Sequence, residues 1–281
     1  MIKIIVDSTS DIPKDLVEKY KIRVLPITVD INGIIYKDKV DLYEEEFYSK
    51  VKEKDVVPKT AQINPSVFEE AFREELEKGN EVVCMTISSE LSGTYNSANI
   101  AKDMIESDKI HVIDSRSATM GFGLIAIELA KSIEEGKHIE EILAKAKSLI
   151  ERQGVIGYVN SLEMLKRGGR ISASTAVIGG ALGIKPIITI LDGKIESIGK
   201  ARGKKNAIKQ LINEIKENDI DEEVGLYIAY SNIEEGCESD LDSMVRNGIN
   251  IKTTISIIGP AVGTHVGEGT FVVFYTKKNN K

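Results

Sequence analysis

The order of hydrophobic patterns along the chain predicts an α/β protein with two domains. Up to residue 152, short apolar runs rich in β-branched residues alternate with segments of helical spacing, which predicts a mostly parallel sheet flanked by helices. Beyond residue 152, hairpin signals mix with helical segments, which predicts a mixed α/β unit. Because 281 residues exceed the usual length of one domain, we expect domains at residues 1–155 and 156–281.

The first half of the chain supplies the strands and helices of the predicted parallel sheet. Pro13 suits a first helical turn, and Asn32-Gly33 is typical of a hairpin turn. Residues 55–64 are expected to form a loop before the helix that begins at Pro65. The predicted strands cover residues 2–6, 23–30, 34–36, 81–87 and 109–114. The predicted helices cover residues 13–20, 43–52, 65–78 and 94–104, a long one from about 120, and residues 139–152.

The second half of the chain follows a different pattern. Asp192-Gly193 lies between two apolar runs and predicts a hairpin. The stretch at residues 259–269 is rich in glycine and is expected to be a loop between two strands. The predicted strands cover residues 153–159, 185–191, 194–200, 224–230, 251–257 and 270–275. Helices are predicted over residues 161–166, 203–217 and 233–247.

Composition and missing motifs exclude several classes of protein. The net charge of −7 speaks against a nucleic-acid-binding surface, and no apolar run reaches membrane-spanning length. No signal peptide is evident, so a cytoplasmic protein is expected. The sequence has no Walker-type phosphate loop, dinucleotide fingerprint or esterase elbow. Three scattered histidines and two cysteines favour neither a metal site nor a disulfide framework.

The loop that joins the apolar run at residues 81–87 to the helical segment at residues 94–104 predicts an anion site. It contains Ser92 and Gly93, and it leads into a helix N-terminus, where free backbone N–H groups and the helix dipole attract anions. The alternative interpretation is that Ser92 or Thr94 only caps its own helix.

Polar residues follow three of the predicted strands. They are Asp7–Ser10, Ser88 with Ser89, and Asp114–Arg116. Ligands of parallel α/β proteins bind outside the carboxyl ends of the strands. We therefore expect these residues to lie together at one edge of the sheet.

Four further residues are candidates for binding. Thr60 and His265 lie among small, polar or glycine residues, where the alternatives are a capping hydroxyl and a structural histidine. Arg170 and Arg202 lie in basic, glycine-containing segments and could contact phosphate or an acidic partner. The alternative for these arginines is an ordinary solvated face.

Five motifs, in order along nearly the whole chain, resemble the DegV family. They are Ile4-Ile-Val-Asp-Ser-Thr-Ser-Asp-Ile-Pro13, Ile87-Ser-Ser-Glu-Leu-Ser-Gly-Thr-Tyr-Asn-Ser-Ala98, Val112-Ile-Asp-Ser-Arg116, Leu165-Lys-Arg-Gly-Gly-Arg-Ile171 and Gly259-Pro-Ala-Val-Gly-Thr-His-Val-Gly267. The resemblance implies a long-chain fatty acid bound between two α/β domains. It also implies that a separate ATP-dependent fatty acid kinase subunit phosphorylates the fatty acid, with no cofactor on this chain.

The resemblance assigns the carboxylate site to Thr60, Ser92, Gly93 and His265, and it makes Arg170 and Arg202 candidate contacts of the kinase or its phosphate. The chain departs from the family at Thr60-Ala-Gln-Ile63, where Thr-Ser-Gln-Pro is common. The small apolar run at residues 176–184 is a candidate lining for the tail, with ordinary core packing as the alternative.

Two competing functions remain open at this point. The first is a hydrolase or kinase in which Ser92 is the nucleophile and His265 the base, although no carboxylate that would orient His265 is evident. The second is a regulatory module without a deep pocket. The binding interpretation predicts bound lipid and no turnover by the isolated chain.

Overall fold

The computed structural model describes residues 1–52, 56–171, 183–231 and 236–279. These residues form thirteen strands in three sheets, together with ten α-helices. The strands are β1 (Ile2–Asp7), β2 (Arg23–Leu25), β3 (Thr28–Ile31), β4 (Ile34–Lys37), β5 (Lys59–Ala61), β6 (Glu81–Thr86), β7 (Ile110–Asp114), β8 (Gln153–Tyr158), β9 (Ile184–Leu191), β10 (Lys194–Arg202), β11 (Leu226–Tyr230), β12 (Thr253–Ile257) and β13 (Phe271–Thr276). The helices are α1 (Lys14–Lys19), α2 (Glu44–Val51), α3 (Pro65–Glu77), α4 (Thr94–Ile105), α5 (Met120–Glu134), α6 (Ile139–Arg152), α7 (Glu163–Arg167), α8 (Lys204–Glu217), α9 (Glu238–Arg246) and α10 (Pro260–Val266).

The predicted parallel sheet is present, with the strand order β2-β1-β6-β7. Both of its faces are covered, because Val6 belongs to one hydrophobic core and its neighbour Ile5 to another. A sheet buried on both faces needs apolar side chains at successive positions. This requirement explains why its strands are continuous apolar runs in the sequence.

A separate antiparallel sheet, ordered β4-β3-β5, corrects two predictions. The single strand predicted over residues 23–30 is two strands, because Pro26 lies between β2 and β3 and has no N–H for a ladder. The loop predicted over residues 55–64 contains β5, which pairs with β3. The Asn32-Gly33 hairpin is confirmed, since both residues have positive φ, as a tight hairpin turn requires.

The second half of the chain forms a mixed six-stranded sheet, ordered β10-β9-β8-β13-β11-β12. Only the pair β11–β12 is parallel. The hairpin at Asp192-Gly193 is confirmed by φ angles of 49° and 79°. The predicted fold class, α/β with a parallel sheet followed by a mixed one, is therefore confirmed.

Helix α5 lies between the parallel sheet and the mixed sheet and contacts strands of both. One hydrophobic core includes Val6 and Met85 from the first sheet and Tyr227 and Phe274 from the second. The two sheets therefore pack around a shared core. The division after residue 155 stays a prediction.

The glycine-rich stretch at residues 259–269 is not the loop that its composition predicts. Pro260 begins the short helix α10, as proline suits a first helical turn. Gly263 lets this helix pack closely on α2, because a Cβ there would lie 2.6 Å from Tyr48 Oη and 2.8 Å from Phe47 Cε1. Tertiary packing thus outweighs the low helix propensity of glycine. In the described part of the chain, no helix is both long and apolar enough to cross a membrane.

Candidate functional site

The polar residues that follow β1, β6 and β7 lie together, as the sequence predicts. The Asp7 carboxylate accepts hydrogen bonds from the N–H groups of Thr9 at 3.0 Å and Ile87 at 2.7 Å. Burial raises the pKa of Asp7 to about 6. Asp114 accepts a hydrogen bond from the Ser89 N–H at 3.1 Å. These contacts fix the shape of the loops from which the candidate site is built.

Thr60 and His265 are in direct contact, although 205 positions separate them in the sequence. Thr60 is the central residue of β5, and His265 lies near the end of α10. Thr60 Oγ1 and His265 Nε2 are 2.8 Å apart. The fold thus assembles two of the predicted carboxylate ligands into one hydrogen-bonded pair.

The environment of His265 keeps its imidazole neutral. Burial, and then the positive charge of Arg170, lower the pKa of His265 to about 4. Its Nδ1 atom is buried and has no hydrogen-bond partner among the described residues. The backbone of Gly168 lies close to Nδ1, because a Cβ on Gly168 would be 2.3 Å from it.

A neutral imidazole carries one N–H, so the Thr60–His265 pair has one hydrogen left to donate in either tautomer. If Nε2 is protonated, it donates to Thr60 and the threonine O–H is free. If Nδ1 is protonated, Thr60 donates to Nε2 and the Nδ1–H is free. In the first tautomer, an anion beside Thr60 would accept the free threonine hydrogen.

Ser92 and Gly93 lie at the start of α4. Ser92 Oγ is 2.9 Å from Thr94 Oγ1 and accepts the Thr94 N–H at 3.3 Å, but the N-cap residue of α4 is Gly93, so neither Ser92 nor Thr94 is the capping residue. A side chain at Gly93 would displace the end of the Gln62 side chain, since a Cβ would lie 1.9 Å from Gln62 Oε1. No described residue accepts a hydrogen bond from the Gly93 N–H, but Gly93 itself lines neither of the two spaces described below.

The two arginines that were predicted as partner contacts occupy different places. The Arg170 guanidinium is half-buried, donates from Nε to the Leu91 carbonyl oxygen at 3.0 Å and also bonds the Gly168 carbonyl. It thereby joins the end of α7 to the loop that carries Ser92. Arg202 is exposed at the end of β10 and lines neither of the two spaces described next.

Two spaces meet at the Thr60–His265 pair. The inner cavity, of about 50 Å³, is mainly apolar. The outer cleft, of about 660 Å³, opens beside it. Thr60, Arg170, His265 and Val266 line both spaces. The inner cavity is lined in addition by Thr9, Ile27, Ile87, Leu91, Ser92, Ala118, Ile195, Ala261 and Val262.

The apolar lining of the inner cavity was not singled out from the sequence. Ile87, Leu91 and Ala118 follow the carboxyl ends of β6 and β7. Their position after the strands, which is also that of the polar residues, could have indicated them as ligand contacts. Of the tail lining predicted at residues 176–184, residues 176–182 lie outside the described residues. Ile184, which begins β9, does not line the inner cavity.

The arrangement does not resemble a nucleophile with its base. The Ser92 hydroxyl contacts Thr94, whereas His265 contacts Thr60. Within the described ranges, no carboxylate accepts a hydrogen bond from His265, and no three side chains of the usual metal-binding types converge.

The fold and the site define an α/β protein with an apolar cavity whose mouth is lined by hydroxyl, imidazole and guanidinium groups. Such a site suits an amphipathic anion. The chain belongs to the DegV family: the family model described as "Uncharacterised protein, DegV family" matches residues 1–278.

Relatives of known sequence and structure match the whole chain. A DegV domain-containing protein of Caldanaerobacter subterraneus subsp. tengcongensis is 40% identical, with 99% of each chain covered. A DegV family protein from Thermus thermophilus, described for its fatty acid binding, has a TM-score of 0.90 at 30% identity and 99% coverage of each chain. A stearic-acid-binding protein from Eubacterium ventriosum has a TM-score of 0.85, also at 30% identity and 99% coverage of each chain.

Proposed function

We propose that this protein binds a long-chain fatty acid, with its tail in the inner cavity and its carboxylate at the mouth. The observation that carries the proposal is the Thr60–His265 pair beside Arg170, at the point where the apolar inner cavity meets the outer cleft. Relatives of the same fold that bind fatty acids support it.

The chemistry of the mouth fits a carboxylate. A carboxylate removed from water needs several donors to replace its hydration. The Thr60–His265 pair offers one hydrogen, and Ser92 and the Gly93 N–H offer others. The guanidinium of Arg170 adds a positive charge and a planar fork that suits a carboxylate. Arg170 is therefore proposed as a carboxylate contact in addition to its predicted contact with a partner.

The tail requires the inner cavity to widen. A cavity of about 50 Å³ has room for a few water molecules at most, whereas a long acyl chain is several times larger. Its walls come from separate parts of the chain, including Ile27 before β3, Ile195 on β10 and Val262 on α10. Apolar side chains that separate and repack around the tail would bury the surface they expose.

The finer features of the function are also proposals. We propose that the carboxylate is presented through the outer cleft to a separate, ATP-dependent kinase subunit, and that Arg202 contributes to that contact. In this scheme the chain is cytoplasmic, where ATP is available, and catalyses no reaction alone. The domain division after residue 155 would place the ligand between the two units.

Mass spectrometry of lipid extracted from the natively purified protein tests the proposed ligand. A long-chain fatty acid at near-equimolar amount is expected. Thr60→Val, which removes the hydroxyl but keeps the strand-compatible shape, should lower affinity by roughly ten- to a hundredfold in a fluorescent-lipid titration. Thr60→Ser retains the hydroxyl and should bind nearly normally. Absence of any lipid, with equal affinity in both variants, would contradict the proposal.

A further inference from the structure

Helix α10 forms one wall of both spaces at the site. Ala261 and Val262 line the inner cavity, Thr264 lines the outer cleft, and His265 lines both. A shift of this helix would therefore move the imidazole and the apolar wall together. The contacts that hold α10 in place therefore determine the geometry of the site.

The start of α10 is bound by Asp11, which follows the first strand of the parallel sheet. Asp11 Oδ1 accepts the N–H of Gly259, the residue before α10, at 3.0 Å. The hydroxyl of Ser256, on β12, donates to the Asp11 carbonyl oxygen. Asp11 itself has a left-handed backbone, with φ of 49°, and closes the short 3-10 turn after β1. One residue thus joins the edge of the parallel sheet to the entry of α10.

The charge of Asp11 is balanced by a neighbouring cation. Lys39 Nζ lies 2.7 Å from the same Oδ1 atom, and the Asp11 side chain is fully buried. Lys39 has a second carboxylate, that of Glu44, at 3.8 Å. Asp11 Oδ2 is buried without a hydrogen-bond partner among the described residues. The contacts of this carboxylate are therefore concentrated on the oxygen that faces Gly259 and Lys39.

A displacement of Gly259, before the start of α10, would also displace His265 near the end of the helix. A helix rises 1.5 Å per residue, so the two residues are only about 9 Å apart along the axis. Between them, the close packing of Gly263 on Tyr48 leaves little room for bending. Since the Thr60–His265 hydrogen bond is 2.8 Å long, displacement by several tenths of an ångström would weaken it.

We propose that Asp11 is a positioning residue for His265: by binding the Gly259 N–H, it holds α10 where the imidazole meets Thr60. Its effect on fatty acid affinity rests on the proposed function. Its effect on the imidazole of the ligand-free protein does not, so the two are tested separately.

The test compares Asp11→Gly with Asp11→Asn. Glycine removes the carboxylate and accepts the left-handed backbone without strain. Asparagine keeps an oxygen for Gly259 and places its amide where Asp11 Oδ2 has no partner. Side-chain ¹⁵N NMR of the ligand-free protein should show shifted His265 resonances in Asp11→Gly and near-native ones in Asp11→Asn. Fatty acid affinity should fall about tenfold or more in the glycine variant, as expected for a weakened hydrogen bond to a charged group.

Glu75→Ala is the matched control. Glu75 is also a buried carboxylate, 4% exposed, and it binds Lys78 at 2.8 Å and Asn80 at 2.7 Å, but it lines neither space at the site. The Glu75→Ala substitution should lower the melting temperature of the protein without shifting the His265 resonances. The proposal is overturned if Asp11→Gly behaves in the same way.

A second variant covers the case in which Asp11→Gly does not fold. Ser256→Ala removes the hydroxyl that ties the Asp11 carbonyl to β12, and it should shift the His265 resonances in the same direction by a smaller amount. Unchanged resonances in this variant would equally overturn the proposal. If the native protein binds no fatty acid, the proposed function fails, while the NMR comparison still decides the role of Asp11.

Discussion

At the scale of single residues, His265 combines two properties that suit a carboxylate site. Its pKa is lowered to about 4 by burial and by Arg170, so the ligand-free imidazole is neutral at pH 7. Protonation would make Nε2 the donor to Thr60, so that the threonine O–H is free for the ligand, and it would add a positive charge. A bound anion therefore favours uptake of a proton.

We expect fatty acid binding to raise the pKa of His265 from about 4, because a nearby carboxylate stabilises the imidazolium. A pH titration followed by ¹⁵N NMR of the histidine side chains measures the change. A fatty alcohol with the same tail is the matched control, since it has no charge and should leave the pKa low. Equal pKa values in the two complexes would rule out a carboxylate beside His265.

The two arginines should separate ligand binding from the contact with a partner. Arg170→Ala should weaken fatty acid binding by roughly ten- to a hundredfold, because the guanidinium lies at the mouth of the inner cavity. Arg202→Ala should leave that affinity unchanged and reduce acyl phosphate formation when the kinase subunit and ATP are present. A full rate of transfer by Arg202→Ala would mean that this exposed arginine is only part of a solvated face.

At the scale of elements, helix α10 depends on contacts with neighbouring elements for its stability. It contains Gly263 in the middle of seven residues, and glycine weakens a helix in isolation. The fully buried rings of Phe47 and Tyr48 leave no space for a larger residue there. The helix is therefore stabilised by tertiary contacts rather than by its own propensity.

Gly263→Ala should destabilise the protein, since its Cβ would lie 2.6 Å from Tyr48 Oη and α10 would have to move. Overpacking of this kind costs about 1–3 kcal/mol, measured as the change in unfolding free energy in denaturant. Gly199→Ala is the control, because its nearest neighbour would be 4.0 Å away. If both variants have native stability, the close packing of α10 on α2 is not a constraint.

At the scale of the whole molecule, a buried charge cluster connects parts of the chain that are distant in sequence. Asp38 accepts a hydrogen bond from Ser8 at 2.7 Å, next to the Asp11–Lys39 ion pair. Burial raises the pKa of Asp38 to about 7, an effect opposed by Lys39 and reinforced by Asp11 and Glu44. The folded protein therefore holds a proton near neutral pH that the unfolded chain releases.

The stability of the protein should consequently depend on pH through Asp38. Between pH 3.8, the ordinary pKa of the group, and about 7, the folded state binds more protons than the unfolded state. The free energy of unfolding contributed by Asp38 thus falls as pH rises through this window. Asp38→Asn should remove that fall. The free energy of unfolding of the variant should therefore rise relative to that of the native protein from pH 4 to pH 7. Parallel pH profiles in denaturant unfolding would show that Asp38 is ionised throughout.

The complete protein should be stabilised by its ligand and inactive alone. Stearic acid at a hundred times its Kd should raise the free energy of unfolding by about 2.7 kcal/mol, seen as a higher melting temperature. The purified chain should hydrolyse neither ATP nor acyl esters above background, since Ser92 contacts Thr94 rather than His265. An esterase or ATPase rate that Ser92→Ala abolishes would favour the enzyme alternative instead.

The sequence by itself determined the fold class and predicted the edge of the sheet at which the candidate site lies. These follow from local patterns: apolar runs that must be buried on both faces, hairpin dipeptides such as Asp192-Gly193, and polar residues placed directly after strands. Such patterns are set by residues that are close together in the chain, so they can be recognised without knowing the tertiary arrangement. Thr60 and His265 could be selected because the resemblance to a family identified them.

Only the tertiary structure decided how these residues meet. No local pattern indicates that Thr60 lies on a strand, that His265 lies on a helix, or that the two are 2.8 Å apart. The same holds for Arg170, which packs against the Ser92 loop rather than standing in solvent alone. Contacts across 205 positions form because burial of the shared core brings distant segments together, and that free energy outweighs the preferences of a short glycine-rich segment.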